Sequence, residues 1–92
     1  MQVRVYGTLR AVMGGAKETE VHVTGQSTAG EVLRQLVSAY PGLRDKVFRG
    51  EGELQGGVGM FVNGRSTRFL QGLDTLVREG DELALFPPIG GG

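Results

Sequence analysis

The residues with the plainest chemical potential are the last seven, Phe86-Pro87-Pro88-Ile89-Gly90-Gly91-Gly92. Glycine has no Cβ, so it reaches backbone angles closed to other residues and passes through narrow gaps. A segment ending in Gly90-Gly91-Gly92 therefore suits insertion into another protein's active site, with the Gly92 carboxylate as the reacting group. Taken alone, a glycine run reads first as a frayed end. Phe86-Pro87-Pro88-Ile89 shifts that reading, because it sets two apolar side chains and two rigid residues at the root of a pliant tip.

Other chemistry-bearing residues are sparse. The chain has no cysteine, which excludes disulfides, thiol nucleophiles and thiolate metal sites. The one histidine, His22, alternates with Val21 and Val23 and is expected to point outward. It has no cysteine or second histidine beside it to build a metal site, and no metal is expected. Gly14-Gly15 lacks the lysine-serine continuation of a phosphate loop. Glu79, Asp81 and Glu82 read as a charged turn, not an acid–base pair. Serine, histidine and aspartate are each present, but no nucleophile motif frames them.

The elements that position this tail follow from length and patterning. The 92 residues suit one domain. Ten basic and ten acidic side chains cancel, so no global field draws the chain to nucleic acid or an anionic membrane. No apolar stretch approaches the ~20 residues of a membrane span, and no signal-peptide run opens the sequence. The expectation is a soluble, cytoplasmic protein.

Val3 and Val5 alternate with Gln2, Arg4 and Tyr6, which predicts a half-buried strand. Val21 and Val23 alternate with Glu20, His22 and Thr24, predicting a second. With Met13-Gly14-Gly15-Ala16 between them, the pair is expected to form a hairpin. Thr28-Ala29-Gly30-Glu31 fits a reciprocal capping box. Val32, Leu33, Leu36, Val37 and Tyr40 then fall on one helical face, and Pro41-Gly42 ends the helix. Residues 43–48 predict a short turn or helix, and the glycine-rich residues 49–59 a surface loop. Met60-Phe61-Val62 reads as a third strand, Asn63-Gly64 as a tight turn, and Thr67-Arg68-Phe69-Leu70 as a short fourth strand. Residues 72–76 suggest one helical turn, Glu79-Gly80-Asp81 a turn, and residues 82–86 a last strand with Leu83 and Leu85 inward. One amphipathic helix on one mixed sheet gives a two-layer α+β roll. The first and last strands are candidates for parallel pairing at its centre.

In this order the pieces resemble a known family. Val3-Arg4-Val5-Tyr6-Gly7-Thr8-Leu9-Arg10, the helix of residues 28–40 with Pro41-Gly42, Phe61-Val62-Asn63-Gly64, and residues 76–86 leading into Phe86-Pro87-Pro88-Ile89-Gly90-Gly91-Gly92 look like a ubiquitin-like β-grasp sulfur carrier. Within that group the likeness is greatest to the small subunit of molybdopterin synthase. The resemblance implies a β-grasp domain over residues 1–86, with four or five strands on one main helix, and an exposed, flexible tail over 87–92. It also implies a cycle. A ubiquitin-activating-like adenylyltransferase uses ATP to adenylate the Gly92 carboxylate, and a sulfur donor converts the acyl adenylate to a thiocarboxylate. A partner such as the large synthase subunit then accepts the sulfur. The resemblance thereby implies a sulfur-donating subunit or carrier that binds no cofactor of its own, with catalysis supplied by its partners. Similar tails occur in carriers for thiamin, tRNA thiolation and cysteine synthesis, and in ubiquitin-like protein modifiers. The third glycine, Gly90, and the long 49–59 loop depart from the usual family pattern.

Phe86 is either an edge-strand residue or an aromatic anchor for a partner pocket. Pro87 and Pro88 end the strand, since they cannot donate ladder hydrogen bonds, and also stiffen the base of the tail. Tyr6 and Phe61 are expected to point outward, either as scattered aromatics or, with Phe86 and Ile89, as one apolar interface. Arg10, Arg65 and Arg68 are solvated, or complement an acidic partner rim.

Overall fold

Alternate burial along the chain sets which face of each strand meets the core. In the computed structural model, which describes residues 1–50 and 52–88, β1 (Gln2–Val5) buries Val3 and Val5 and turns Gln2 and Arg4 away. The last strand, β7 (Glu82–Phe86), likewise buries Leu83 and Leu85. These two strands lie side by side and parallel, from Gln2 opposite Glu82 to Val5 opposite Leu85. On its other edge β7 pairs antiparallel with β4 (Gly59–Val62), which buries Met60 and Val62. β2 (Glu18–Glu20) joins β1 antiparallel, and β5 (Arg65–Ser66) joins β4, giving the five-strand order β2-β1-β7-β4-β5. Among the described residues the only parallel pair is thus central, where both strands are shielded.

Helix α2 (Ala29–Ala39) covers one face of this sheet, contributing buried Ala29, Val32, Leu33, Leu36 and Val37 to a single core. Leu33, Leu36, Leu83 and Leu85 are essentially solvent-free, and such burial stabilises by ~1.5–3 kcal/mol for each side chain. Thr28 caps the helix, its Oγ accepting from the Glu31 amide at 3.2 Å. The reciprocal half of the expected capping box is absent. Glu31 pairs instead with Arg34 at 3.3 Å, while Thr28 closes a two-stranded ladder.

That ladder, β3 (Gln26–Thr28) against β6 (Leu76–Arg78), went unread in the sequence because each strand is three residues long. Three further expectations are corrected. The second strand pairs over Glu18–Glu20 rather than 20–24: the Val21 amide still donates to Met1 O at 2.9 Å, but β1 then offers no further partner. Val21 and Val23 remain buried beyond the ladder. The hairpin connection is longer than a glycine turn, because α1 (Leu9–Val12) folds within it and buries Leu9. Residues 67–70 are not a strand. Thr67–Phe69 form a 3-10 turn begun by Ser66, whose Oγ accepts from the Arg68 amide at 3.3 Å. The short helix α3 (Arg44–Val47), the Gly72–Asp74 turn and the Asn63-Gly64 turn meet expectation. No helix among the described residues is long and apolar enough to cross a membrane.

Candidate functional site

The open face of the sheet carries what the core rejects. With Leu83 and Leu85 inward, the strand period of two turns Glu82, Ala84 and Phe86 outward. The same rule puts Arg4 and Tyr6 outward beside β7, and Phe61 outward on β4. Strand register then assembles the aromatics. Ala84 lies opposite both Arg4 and Phe61, and it lines a concavity together with Phe61, Tyr6 and Phe86. Phe86 lies opposite Gly59, where the missing side chain allows Phe61 Cε1 to come within 3.2 Å of the place a Cβ would occupy.

The result is a three-ring cluster. Tyr6 stacks on Phe86 with centroids 4.4 Å apart and planes inclined by 2°. Phe61 meets Phe86 edge-on at 5.4 Å and 76°. Each such pair contributes ~0.5–1.5 kcal/mol beyond its area. The guanidinium of Arg10 stands 5.2 Å from the Tyr6 ring centre, held there by Nε donating to Val5 O at 2.9 Å. Phe86 is nevertheless 38% exposed, and Phe69, on the rim of the same concavity, is 88% exposed. Farther along the face, Arg4 lies between Glu18 at 3.5 Å and Glu82 at 3.6 Å. The surface is therefore apolar near the C-terminal root and charged at the far end.

Pro87 and Pro88 continue from this cluster and also line the concavity. They were expected to begin an exposed tail, yet both are half-buried. The packed body extends to Pro88, because the prolines lie against Gly7 and Gly57. Ile89, Gly90, Gly91 and Gly92, the remaining predicted site residues, lie outside the described residues.

Two turns hold the strand ends beneath the site. The Asn63 side chain donates to Asp81 at 3.0 Å and accepts from the Glu82 amide at 2.9 Å. Asp81 also accepts from the Arg78 amide at 3.0 Å. The Asn63 hydrogen bond first, then the Arg78 amide, hold the Asp81 carboxyl below its ordinary range. Among the described residues, no group of three histidines or carboxylates could hold a metal ion. His22 is exposed, with its Nε2 3.3 Å from Thr24 Oγ.

The structure thus gathers Tyr6, Phe61, Phe86, Pro87 and Pro88. Sequence reasoning missed Phe69, misread as a strand residue, and the glycines Gly7, Gly57 and Gly59. For Gly59 a usable signal existed: a glycine inside a strand marks a close approach. Arg65 and Arg68 make no ion pair among the described residues. Chemically the face offers an apolar surface built around three rings.

The sequence profile of the ThiS family matches residues 3–92. Small archaeal modifier protein 1 of Haloferax volcanii is 37% identical over 92 residues, spanning the whole of both chains. The molybdopterin synthase sulfur carrier subunit of Mycobacterium tuberculosis is 32% identical over 92 residues, all of this chain and 96% of that one. Among solved structures, CysO of Amycolatopsis orientalis, in complex with BexX, superposes with a TM-score of 0.85 at 28% identity, covering 99% of this chain and 98% of that one. The fold is a ubiquitin-like β-grasp, and the chain belongs to the ThiS family of sulfur carriers and ubiquitin-like modifiers.

Proposed function

We propose that this member of the ThiS family carries sulfur as a thiocarboxylate on Gly92, with the aromatic face around Phe86 as its docking surface. The observation that carries the reading is the continuity of the Tyr6–Phe86–Phe61 cluster with Pro87 and Pro88. A partner gripping the rings is brought to the root of the segment that ends in Gly92. Exposed, well-supported aromatics are the residue type that dominates binding energy at interfaces. The prolines reduce the entropy lost when that segment enters an active site.

The chemistry needs no catalytic group on this chain. A carboxylate is a poor electrophile. In the activating adenylyltransferase, a Gly92 oxygen attacks the α-phosphorus of ATP and pyrophosphate leaves. A hydrosulfide-level donor then attacks the acyl carbon and AMP leaves, giving the thiocarboxylate. Among acceptors, the large subunit of molybdopterin synthase acting on precursor Z is the first choice, supported by the full-length likeness to a synthase sulfur carrier subunit. Enzymes of thiamin, thiolated-tRNA or cysteine synthesis are the alternative acceptors.

The test is the intact mass of the protein after incubation with the activating enzyme, ATP and a sulfide source. A gain equal to the oxygen-to-sulfur difference is expected, and none in a variant lacking Gly91 and Gly92. No gain with the full chain overturns the reading. Capture of the bound acceptor with the thiocarboxylate form, and its identification, selects among pathways.

A second reading has its own support, the 37% identity to a small archaeal modifier protein. Here the acyl adenylate, or a thioester made from it, is attacked by a lysine amine of another protein. Covalent ladders in cells that vanish on deletion of Gly92 are its signature.

A further inference from the structure

Two loops approach the end of β7 from opposite sides, and each presents a glycine to a proline. Gly7 follows β1, with φ +57°, and a Cβ built on it would sit 2.7 Å from Pro87 Cγ and 3.3 Å from Pro87 Cδ. Gly57 precedes β4, in the turn closed by the Val58 amide donating to Gln55 O at 3.2 Å. Its φ is +87°, and a Cβ there would meet Pro88 Cβ at 3.0 Å and Pro88 Cα at 3.5 Å. At Gly7 something must shift to admit a Cβ, and at Gly57 the proline must give by a few tenths of an ångström; both neighbours belong to rings with no free side-chain rotation. The other eight positive-φ glycines differ: all of them, Gly14 and Gly15 included, have nothing among the described residues within 4 Å of a Cβ. The backbone conformation alone therefore accounts for those eight glycines, but for Gly7 and Gly57 the absent side chain is also the room that the prolines occupy.

We propose that Gly7 and Gly57 are positioning residues, forming a side-chain-free slot that grips Pro87 and Pro88 and sets where the C-terminal segment leaves the sheet. The inference rests on the proposed use of Gly92. Proline cannot pair with β1 or β4 through an N–H, so the ladder ends at Phe86 and nothing in the sheet itself directs the residues beyond it. The slot supplies that direction by contact on two sides. Its benefit is pre-organisation. The partner binds the rings, and the segment beyond Pro88 starts from one point and one heading. A displacement of about 1 Å at such a root can cost on the order of a hundredfold in rate.

The test separates the slot from the carrier chemistry. In the wild-type protein, cross-relaxation peaks between the Gly7 Hα protons and the Pro87 ring, and between Gly57 Hα and Pro88 Hβ, are expected; their absence overturns the slot whatever the protein's activity. Asparagine tolerates the left-handed region better than most residues, so Gly7→Asn limits the backbone strain that accompanies the added side chain. With the activating enzyme, Gly7→Asn is expected to lower kcat for thiocarboxylate formation by about tenfold or more while KM stays within about twofold, because the aromatic face is intact. Gly15→Asn, at φ +89° with open space, controls for strain and is expected to match wild type. In a Pro87→Ala background, which lacks the clashing Cγ, Gly7→Asn is expected to add no further loss. Equal effects of Gly7→Asn and Gly15→Asn, a loss confined to KM, or an undiminished effect in the Pro87→Ala background each overturn the proposal. A wild-type chain that forms no thiocarboxylate overturns the carrier reading instead, and leaves the cross-relaxation peaks to decide the slot.

Discussion

Replacing Phe86 by alanine tests whether the ring cluster is a built structure or a chance grouping of exposed aromatics. Two ring pairs are lost, the 4.4 Å stack on Tyr6 and the 5.4 Å edge contact with Phe61. Together they contribute ~1–3 kcal/mol beyond area. Full burial of a phenylalanine stabilises by ~1.5–3 kcal/mol, and Phe86 is 38% exposed, so the transfer loss is roughly 1–2 kcal/mol. The sum is an upper bound, because the denatured chain already buries part of its apolar surface, and ~2–4 kcal/mol is expected. For a domain of this size that lowers Tm by roughly 10–20 °C. Urea unfolding should show the loss as a shifted midpoint with an unchanged slope. Phe69→Ala is the internal control, since that ring is 88% exposed and joins no ring pair among the described residues; a change within ~0.5 kcal/mol is expected. Phe86→Leu keeps most of the apolar contact and loses only the ring pairs, so it should fall between. The reasoning is refuted if Phe86→Ala unfolds like wild type, or if Phe69→Ala costs as much.

Two further outcomes derive from the fold. Asp81 is held below its ordinary pKa near 3.8, chiefly by Asn63 and then by the Arg78 amide. Its stabilisation is therefore complete above that value and is lost as pH falls through the lower folded value. Asp81→Asn should be less stable than wild type at neutral pH, with the gap closing on acidification in pH-dependent urea melts; a constant gap would contradict the assignment. Thr28→Ala removes the oxygen that accepts from the Glu31 amide and should cost ~1 kcal/mol in the same assay, with Thr28→Ser nearly neutral.

Much of the architecture was legible because its signals are local and strong. The apolar positions of α2 repeat with helical spacing over three turns, and Thr28 and Pro41 mark its ends. The alternation at Val3/Val5, Met60/Val62 and Leu83/Leu85 names both the strands and their buried face. It also names the outward residues, so Tyr6, Phe61 and Phe86 could be placed on one side before any pairing was known. The failures share a cause. Strands β3 and β6 are three residues long, too short for alternation to stand out. Residues 67–70 alternate weakly, and the hydroxyl of Ser66 won over the strand propensity of Thr67 and Phe69 by capping a turn. The second strand stopped early because its partner ended, which is a property of β1 and not of residues 21–24.

What the linear chain determined by itself was composition and period: one helix, several strands, their inner and outer faces, and a glycine-ended segment behind two prolines. Only the tertiary structure decided which outward residues are neighbours. The parallel pairing of β1 with β7 and the placement of Gly59 opposite Phe86 bring together rings that are 25 and 80 residues apart along the chain. The packing of Pro87 and Pro88 against Gly7 and Gly57 was likewise invisible beforehand. A glycine's sequence context reports that a turn is present, but the volume its missing side chain leaves free is defined only by what another segment puts there.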